Sequence, residues 1–345
     1  MIKYTTIILS ILTLLSCNEQ KDYFIPEKFE IEKSNVTLPF EANEIIQFEN
    51  GYICNFENYD DSSFHLGFID KTFKLNNIKT KLLNQDLKLV KSIWTSHDTL
   101  FAIDIFTIKF WKNNHWNILK TLPNEDKTNF KSYELNYPIY NDENFSVKSC
   151  CLGEFGGAIY FRDKKSGKTY SCEATSVISV NKIHDSYYVT SSLPHGSGFT
   201  KVIKIDNPRN LYEIKKKSQL FDCGWYDIYP EDPNNEIKHP IGYDKGFEVL
   251  IDTMDIMIIG SFVKNEQLYH VFSDNKNTYL GYFKNKKPVV LYTIINKPSW
   301  YGKVRDIQNN SNLFPIKNRY LNGVILREYN KLKLIEFKIN ALIKK

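Results

Sequence analysis

Three stretches hold residue types able to do chemistry. Ser191-Ser192-Leu193-Pro194-His195-Gly196-Ser197-Gly198 sets an imidazole between a proline and a glycine. Imidazole titrates near neutral pH and suits general acid–base work, although a solvent-facing loop histidine has the same local sequence. Ser149-Cys150-Cys151-Leu152-Gly153-Glu154-Phe155-Gly156-Gly157 offers Glu154 as an acid, a base or a ligand. The same stretch reads as a turn or bulge at a crowded junction, because paired glycines let backbones approach closely or take positive φ. The third group is Asp222-Cys223-Gly224-Trp225-Tyr226-Asp227 together with Trp300-Tyr301. Aromatic faces with a few polar groups suit sugar rings or peptides, and they equally suit packing at a rim. The chain has no Gly-x-Ser-x-Gly elbow, no GxxxxGK[ST] phosphate loop, no HExxH and no CxxC, which argues against the chemistries those motifs carry. Asp60-Asp61 and Asp274-Asn275-Lys276-Asn277 are oxygen-rich without the EF-hand order. No metal and no cofactor is expected.

Short strands must position these residues, because helical periodicity is almost absent. Residues 89–122 read as four strands, with Lys112-Asn113-Asn114-His115 as a tight turn. The layout recurs at 256–295, with the turn Lys284-Asn285-Lys286-Lys287. It recurs again at 177–214, with strands at Val177–Ile183, Tyr187–Ser191, Val202–Ile205 and Leu211–Ile214. Looser copies begin near 44, 146 and 303, and the gap from 177 to 256 leaves room for one more. Four-stranded units of about 40–50 residues resemble a β-propeller. The expected fold is therefore all-β and β-propeller-like, with about six or seven four-stranded blades; a β-sandwich or two β-barrels is the alternative. No WD, kelch or NHL consensus is present. Phe29 and Ile31 alternate with Lys28, Glu30 and Glu32, as in a half-buried outer strand. That strand would close the ring against Leu332–Ile339. In such a ring His195, Trp225, Tyr226, Trp300 and Tyr301 would share one face, with Glu154 on the other. Pro123–Asn144 and Gln219–Gly246 read as long loops, often functional in compact domains.

The amino terminus gives an address. Lys3 precedes the apolar run Thr5–Leu15, which is too short to span a bilayer, and Leu14-Leu15-Ser16-Cys17 follows. This order resembles a bacterial lipoprotein signal peptide with its lipobox. The resemblance implies a signal peptide over 1–16, lipidation at Cys17 with a tether over 17–27, and a domain over 28–345 held to a membrane by acyl chains. Asn18, rather than Asp, follows the cysteine, which favours the outer over the inner membrane of the cell envelope. Lys21-Asp22 partly matches the surface lipoproteins of Bacteroidota. The net charge of +5 includes Lys3, and the longest basic run is Lys215-Lys216-Lys217, so no nucleic-acid partner is expected. Beyond Cys17 stand Cys54, Cys150, Cys151, Cys172 and Cys223; export permits disulfides, spacing assigns none, and the simplest reading is small buried apolar residues. The expected function is ligand binding, to a glycan or an envelope protein. The rival is an exported enzyme acting on polysaccharide or peptide with His195 or Glu154 and a tyrosine as acid and base; a structural subunit of an envelope complex is a third class.

Overall fold

The computed structural model describes residues 28–56, 65–96, 98–105, 107–121, 139–151, 156–194, 198–214, 244–301, 313–318 and 321–339. The lipobox with Cys17, the 17–27 tether, Asp60-Asp61, Glu154, His195, Cys223, Trp225 and Tyr226 lie outside the described residues.

Six sheets form the blades of a propeller ring. The chain opens with β1 (Glu30–Leu38) and then builds blade I from β2 (Ala42–Phe48), β3 (Gly51–Phe56) and β4 (Leu66–Asp70). The fourth place in blade I goes to the stretch around Leu75, which bridges to Ile69, followed by helix α1 (Asn77–Leu83). Blade II holds β5 (Val90–Ser96), β6 (Thr99–Asp104), β7 (Thr107–Lys112) and β8 (His115–Thr121). Blade III holds β9 (Tyr140–Asn141), β10 (Phe145–Cys151), β11 (Gly157–Asp163) and β12 (Thr169–Glu173). Blade IV begins with β13 (Val177–Ile183), β14 (Ser186–Leu193) and β15 (Phe199–Ile205). Next in the chain is β16 (Tyr212–Glu213), and β17 (Glu248–Met254) completes blade IV. Blade V is β18 (Met257–Lys264), β19 (Gln267–Ser273), β20 (Thr278–Lys284) and β21 (Lys287–Ile295). Blade VI is β22 (Trp300–Tyr301), β23 (Leu313–Asn318), β24 (Leu321–Glu328) and β25 (Lys331–Ile339).

The expected closure occurs. β1 adds to the outer edge of blade VI, in parallel with β25, from Glu30 opposite Lys331 to Leu38 opposite Ile339. Phe29 is buried and Glu30 and Glu32 are not, as the alternation predicts. The Phe29 ring lies edge-on to Phe262 and Tyr269 of blade V, at 5.9 and 5.3 Å.

Apolar seams join neighbouring blades. Leu280, Ile294, Ile325 and Leu334 pack between blades V and VI; Ile45, Tyr52, Val324 and Phe337 between VI and I; Val147, Phe161, Val189 and Ile203 between III and IV. The approach is close enough at Gly260 of β18 that a Cβ there would stand 2.1 Å from the Phe314 ring of blade VI. The turns read from sequence form as hairpins with left-handed residues, Asn113 and Asn114 in blade II and Asn285 and Lys286 in blade V. Such φ values match the twist of a two-residue hairpin.

Two expectations need correction. The strand near 146 is the second of its blade, because two-residue β9 precedes it on the inside. Leu211–Ile214 does not complete blade IV: β16 crosses to the outer edge of blade III and pairs with β12. Leu211 is buried there in the III–IV seam, and the Arg209 Nε meets Asp163 Oδ2 at 2.7 Å. A local hydrophobic pattern does not say which sheet a strand joins. The stretch from 177 to 256 is thus one blade with a long insertion, and the ring has six blades rather than seven.

Candidate functional site

The antiparallel register gives the ring two rims. Hairpins joining first to second and third to fourth strands gather on a turn rim. Interblade links and second-to-third connections gather on a loop rim. Cross-blade contacts confirm the turn rim: His184 of blade IV meets Glu266 of blade V at 3.1 Å, and Lys182 of blade IV meets Asp142 of blade III at 3.0 Å.

The flanking strands locate the sequence candidates. β14 ends and β15 begins on the loop rim; His195, between them in sequence, lies outside the described residues. β10 ends and β11 begins on the same rim; Glu154, between them in sequence, lies outside the described residues. Residues 215–243, which carry Trp225 and Tyr226, leave from Ile214 and return at Asp244, both next to the turn rim. Trp300 of β22 is on the loop rim and is 39% exposed, and the backbone of Tyr301 follows it in the same strand.

Local packing explains much of the loop rim. Gly156 has φ +106°, and a Cβ on Gly157 would lie 2.4 Å from the Cys150 carbonyl oxygen. These glycines let the backbone of β11 approach its neighbours closely where the strand begins. Gly198, at φ +93°, accepts from the Asp255 amide at 3.1 Å and ties the His195 connection to the link into blade V. The buried Ser299 amide donates to Ser273 Oγ at 2.9 Å, which fixes the approach to Trp300. Asp274 is a turn cap: its Oδ1 accepts from the Lys276 and Asn277 amides at 2.7 Å, and its Oδ2 accepts from the Tyr279 hydroxyl at 3.0 Å. Burial pushes this carboxyl up, but the bonds outweigh it and its pKa falls below the ordinary value. Among the described residues no group of three or more His, Cys, Asp or Glu is placed to hold a metal ion.

Three polar clusters escaped the sequence reading. In the IV–V seam, Ser261 Oγ meets His270 Nδ1 at 2.7 Å and Thr190 Oγ1 at 3.1 Å. Burial drives His270 down to about 3, so the ring is neutral. The visible signal was a histidine inside the apolar strand Leu268-Tyr269-His270-Val271-Phe272. In the I–II seam, the buried carboxylate of Glu44 accepts from Asn55 Nδ2, Ser92 Oγ and the Ile93 amide at 3.0–3.2 Å. On the turn rim, Asp142 accepts from the Tyr187 hydroxyl at 2.6 Å, from the Phe145 amide at 2.7 Å and from Lys182 Nζ at 3.0 Å. Burial opposes ionisation of Asp142, yet these donors hold its carboxyl below the ordinary value. All three clusters tie blades or turns together.

The cysteines divide. Cys54 and Cys172 are buried thiols, pushed far above their ordinary pKa by burial, as small apolar residues would be. Cys150 departs from that expectation, because it is disulfide-bonded.

Neither a family model nor a curated protein matches the chain. Among solved structures it is similar to the AfRom2 CNH domain, at 10% identity, covering 85% of this chain and 83% of that one with a TM-score of 0.33. It is similar to PorZ, a bacterial surface component of the type-IX secretion system of Porphyromonas gingivalis, at 10% identity and a TM-score of 0.36, covering 88% of this chain and 39% of that one. It is also similar to Hsv2 of Kluyveromyces lactis, at 14% identity and a TM-score of 0.32, covering 85% of each. What the chain has in common with these proteins is a likeness of fold, and it carries no argument about activity.

Proposed function

We propose that this chain is an exported, lipid-anchored β-propeller that binds a glycan or an envelope protein at its loop rim. The observation that carries the reading is Trp300, more than a third exposed on that rim, with the ends of β10 and β14 and the starts of β11 and β15 on the same side. A half-exposed indole on a rigid scaffold offers a stacking face with little entropy to lose. The anchor rests on Leu14-Leu15-Ser16-Cys17. A thermal-shift screen of the domain from Lys21 onward, against oligosaccharides and envelope peptides, tests the binding. A ligand at 100 times its dissociation constant adds about 2.7 kcal/mol, and Trp300→Ala should abolish the shift. A ligand that stabilises Trp300→Ala equally would remove Trp300 from the site. Recovery of Cys17→Ser in the membrane fraction would refute the anchor separately.

One observation favours a second reading, an exported enzyme acting on polysaccharide or peptide. The connections holding Glu154 and His195 belong to adjacent blades and start from the same rim. On this reading the two are acid and base, and Glu154→Gln and His195→Ala stop product formation while leaving ligand binding intact.

A further inference from the structure

Blade VI contains a partly buried guanidinium, that of Arg327, with no carboxylate partner among the described residues. In β24, strand alternation sends Val324 and Leu326 toward blade I and Ile325 toward blade V. Arg327 shares the Ile325 face, opposite buried Leu332 of β25. Its guanidinium carbon stands 4.4 Å from the centroid of the Phe262 ring. Its Nε is buried without a hydrogen-bond partner. Among the described residues the acids on this rim have other partners. Glu328 pairs with Lys333 at 2.8 Å, Glu30 and Glu32 pair with Lys331 at 3.2 and 2.9 Å, and Glu266 meets His184. A second cation adjoins: Lys264 Nζ lies 5.0 Å from the Phe29 centroid and bonds Asn330 Oδ1. Because Phe29 and Phe262 are 5.9 Å apart, the two cations cover neighbouring rings. Tyr329, 92% exposed, caps the hairpin beside them.

A guanidinium remains charged at any physiological pH and brings five N–H donors. Withdrawing part of such a charge from water is costly without a counter-ion, and stacking on a ring offsets only part of that cost. The donor fork of arginine matches a tetrahedral oxyanion in bidentate fashion, and a lysine adds a point charge. We propose that Arg327 and Lys264 form a receptor for a phosphate-type oxyanion on the turn rim, in the seam between blades V and VI. The source is either free phosphate or a lipid headgroup. The headgroup has a geometric argument: the Glu30 amide donates to the Asn330 carbonyl at 2.9 Å, so the N-terminal segment enters the fold beside this receptor. The headgroup source rests on the proposed anchor at Cys17, which would tether this rim to a membrane through residues 18–27.

The test uses the full chain with Cys17→Ser, so that an acyl anchor contributes nothing. Thermal unfolding in inorganic phosphate is compared with chloride at equal ionic strength, and sedimentation with phosphatidylglycerol vesicles is compared with phosphatidylcholine vesicles. Phosphate should raise the midpoint of the otherwise wild-type chain, with affinity roughly tenfold or more weaker in Arg327→Gln. Arg327→Lys should fall between the two, and Lys286→Gln, an exposed charge on the blade V turn, should change nothing. A response to phosphatidylglycerol that needs Arg327 assigns the headgroup; a response to phosphate alone assigns the free ion. The proposal is overturned if neither response exists, or if both survive in Arg327→Gln. Circular dichroism checks the fold of each variant, and if Arg327→Gln does not fold the comparison with Arg327→Lys decides.

Discussion

His270 shows how a residue's meaning can lie in its distant neighbours. The strand pattern explains why the side chain is inside, but not what it bonds. Its partner Ser261 belongs to the adjacent strand, while Thr190 belongs to the preceding blade, 71 residues from Ser261. The sequence advertises His195 and Glu154, because glycine and proline flank them. It hides His270, Asp142 and Arg327, because only tertiary contact gives these residues their environment. A pH prediction follows from the burial of His270. Its folded pKa of about 3 lies below the ordinary 6.5, so the unfolded chain takes up a proton between these values and the folded chain does not. The stability tied to this group is present above pH 6.5 and is lost as the pH falls, at up to about 1.4 kcal/mol per unit. Urea midpoints measured from pH 7.5 to 5 should therefore decline in the wild type. They should decline less steeply in His270→Asn, even though that variant starts less stable. Equal slopes would mean that other groups account for the decline. The window stops at pH 5 because the carboxylates held low by hydrogen bonds, Asp142 and Asp274, begin to matter below it.

At the scale of elements, blades II and V were legible almost strand for strand, since alternation and two-residue turns are local properties. Blade IV was not. Its first three strands followed the pattern, but β16 carries the same local signature and belongs to blade III. What separates them is a pair of long-range anchors, Arg209 on Asp163 and Leu211 in the III–IV seam. The insertion that follows returns to its starting point. Gly246 has φ +86°, and a Cβ there would lie 2.6 Å from the Asn210 carbonyl oxygen. The two ends of residues 215–243 are therefore close, and the segment between them is not needed to span the fold. Because Cys150 is disulfide-bonded and Cys223 lies in this segment, the comparison is made in a Cys150→Ser background, where replacing the segment with a short Gly/Ser linker should leave the thermal midpoint nearly unchanged, since shortening a loop alters closure entropy only slowly with length. Gly246→Ala should behave oppositely, costing about 1–3 kcal/mol through strain at positive φ and the backbone clash. A large loss on excision with a neutral Gly246→Ala would place the stability in the insertion instead of its junction. Ligand binding that survives excision cannot depend on Trp225 or Tyr226.

For the whole molecule, the decisive joint is the one between its two ends. A propeller ring must be closed, and here β1 closes it from the outside of blade VI, leaving β25 with a partner on both edges. The continuous parallel register from Glu30 to Leu38 supplies the ladder. Phe29, Val36 and Leu38 supply apolar contacts on both faces: Phe29 toward blade V, Val36 and Leu38 toward blade I. Fully burying side chains of this size stabilises by about 1.5–3 kcal/mol each. Three of them approach the 5–15 kcal/mol that separates a typical folded domain from its unfolded chain. Without β1, the exposed edge of β25 would also be a template for pairing with other chains. A chain beginning at residue 39 should therefore be recovered aggregated, or should unfold without cooperativity. Adding a peptide of residues 28–38 should restore a cooperative transition, and its Phe29→Ala version should do so more weakly. The measurement is the sharpness of the urea transition with and without peptide. A chain lacking β1 that unfolds as sharply as the intact protein would show that the interblade seams alone close the ring. The outer strand would then be an attachment for the N-terminal segment, with its energetic role reduced to shielding an edge.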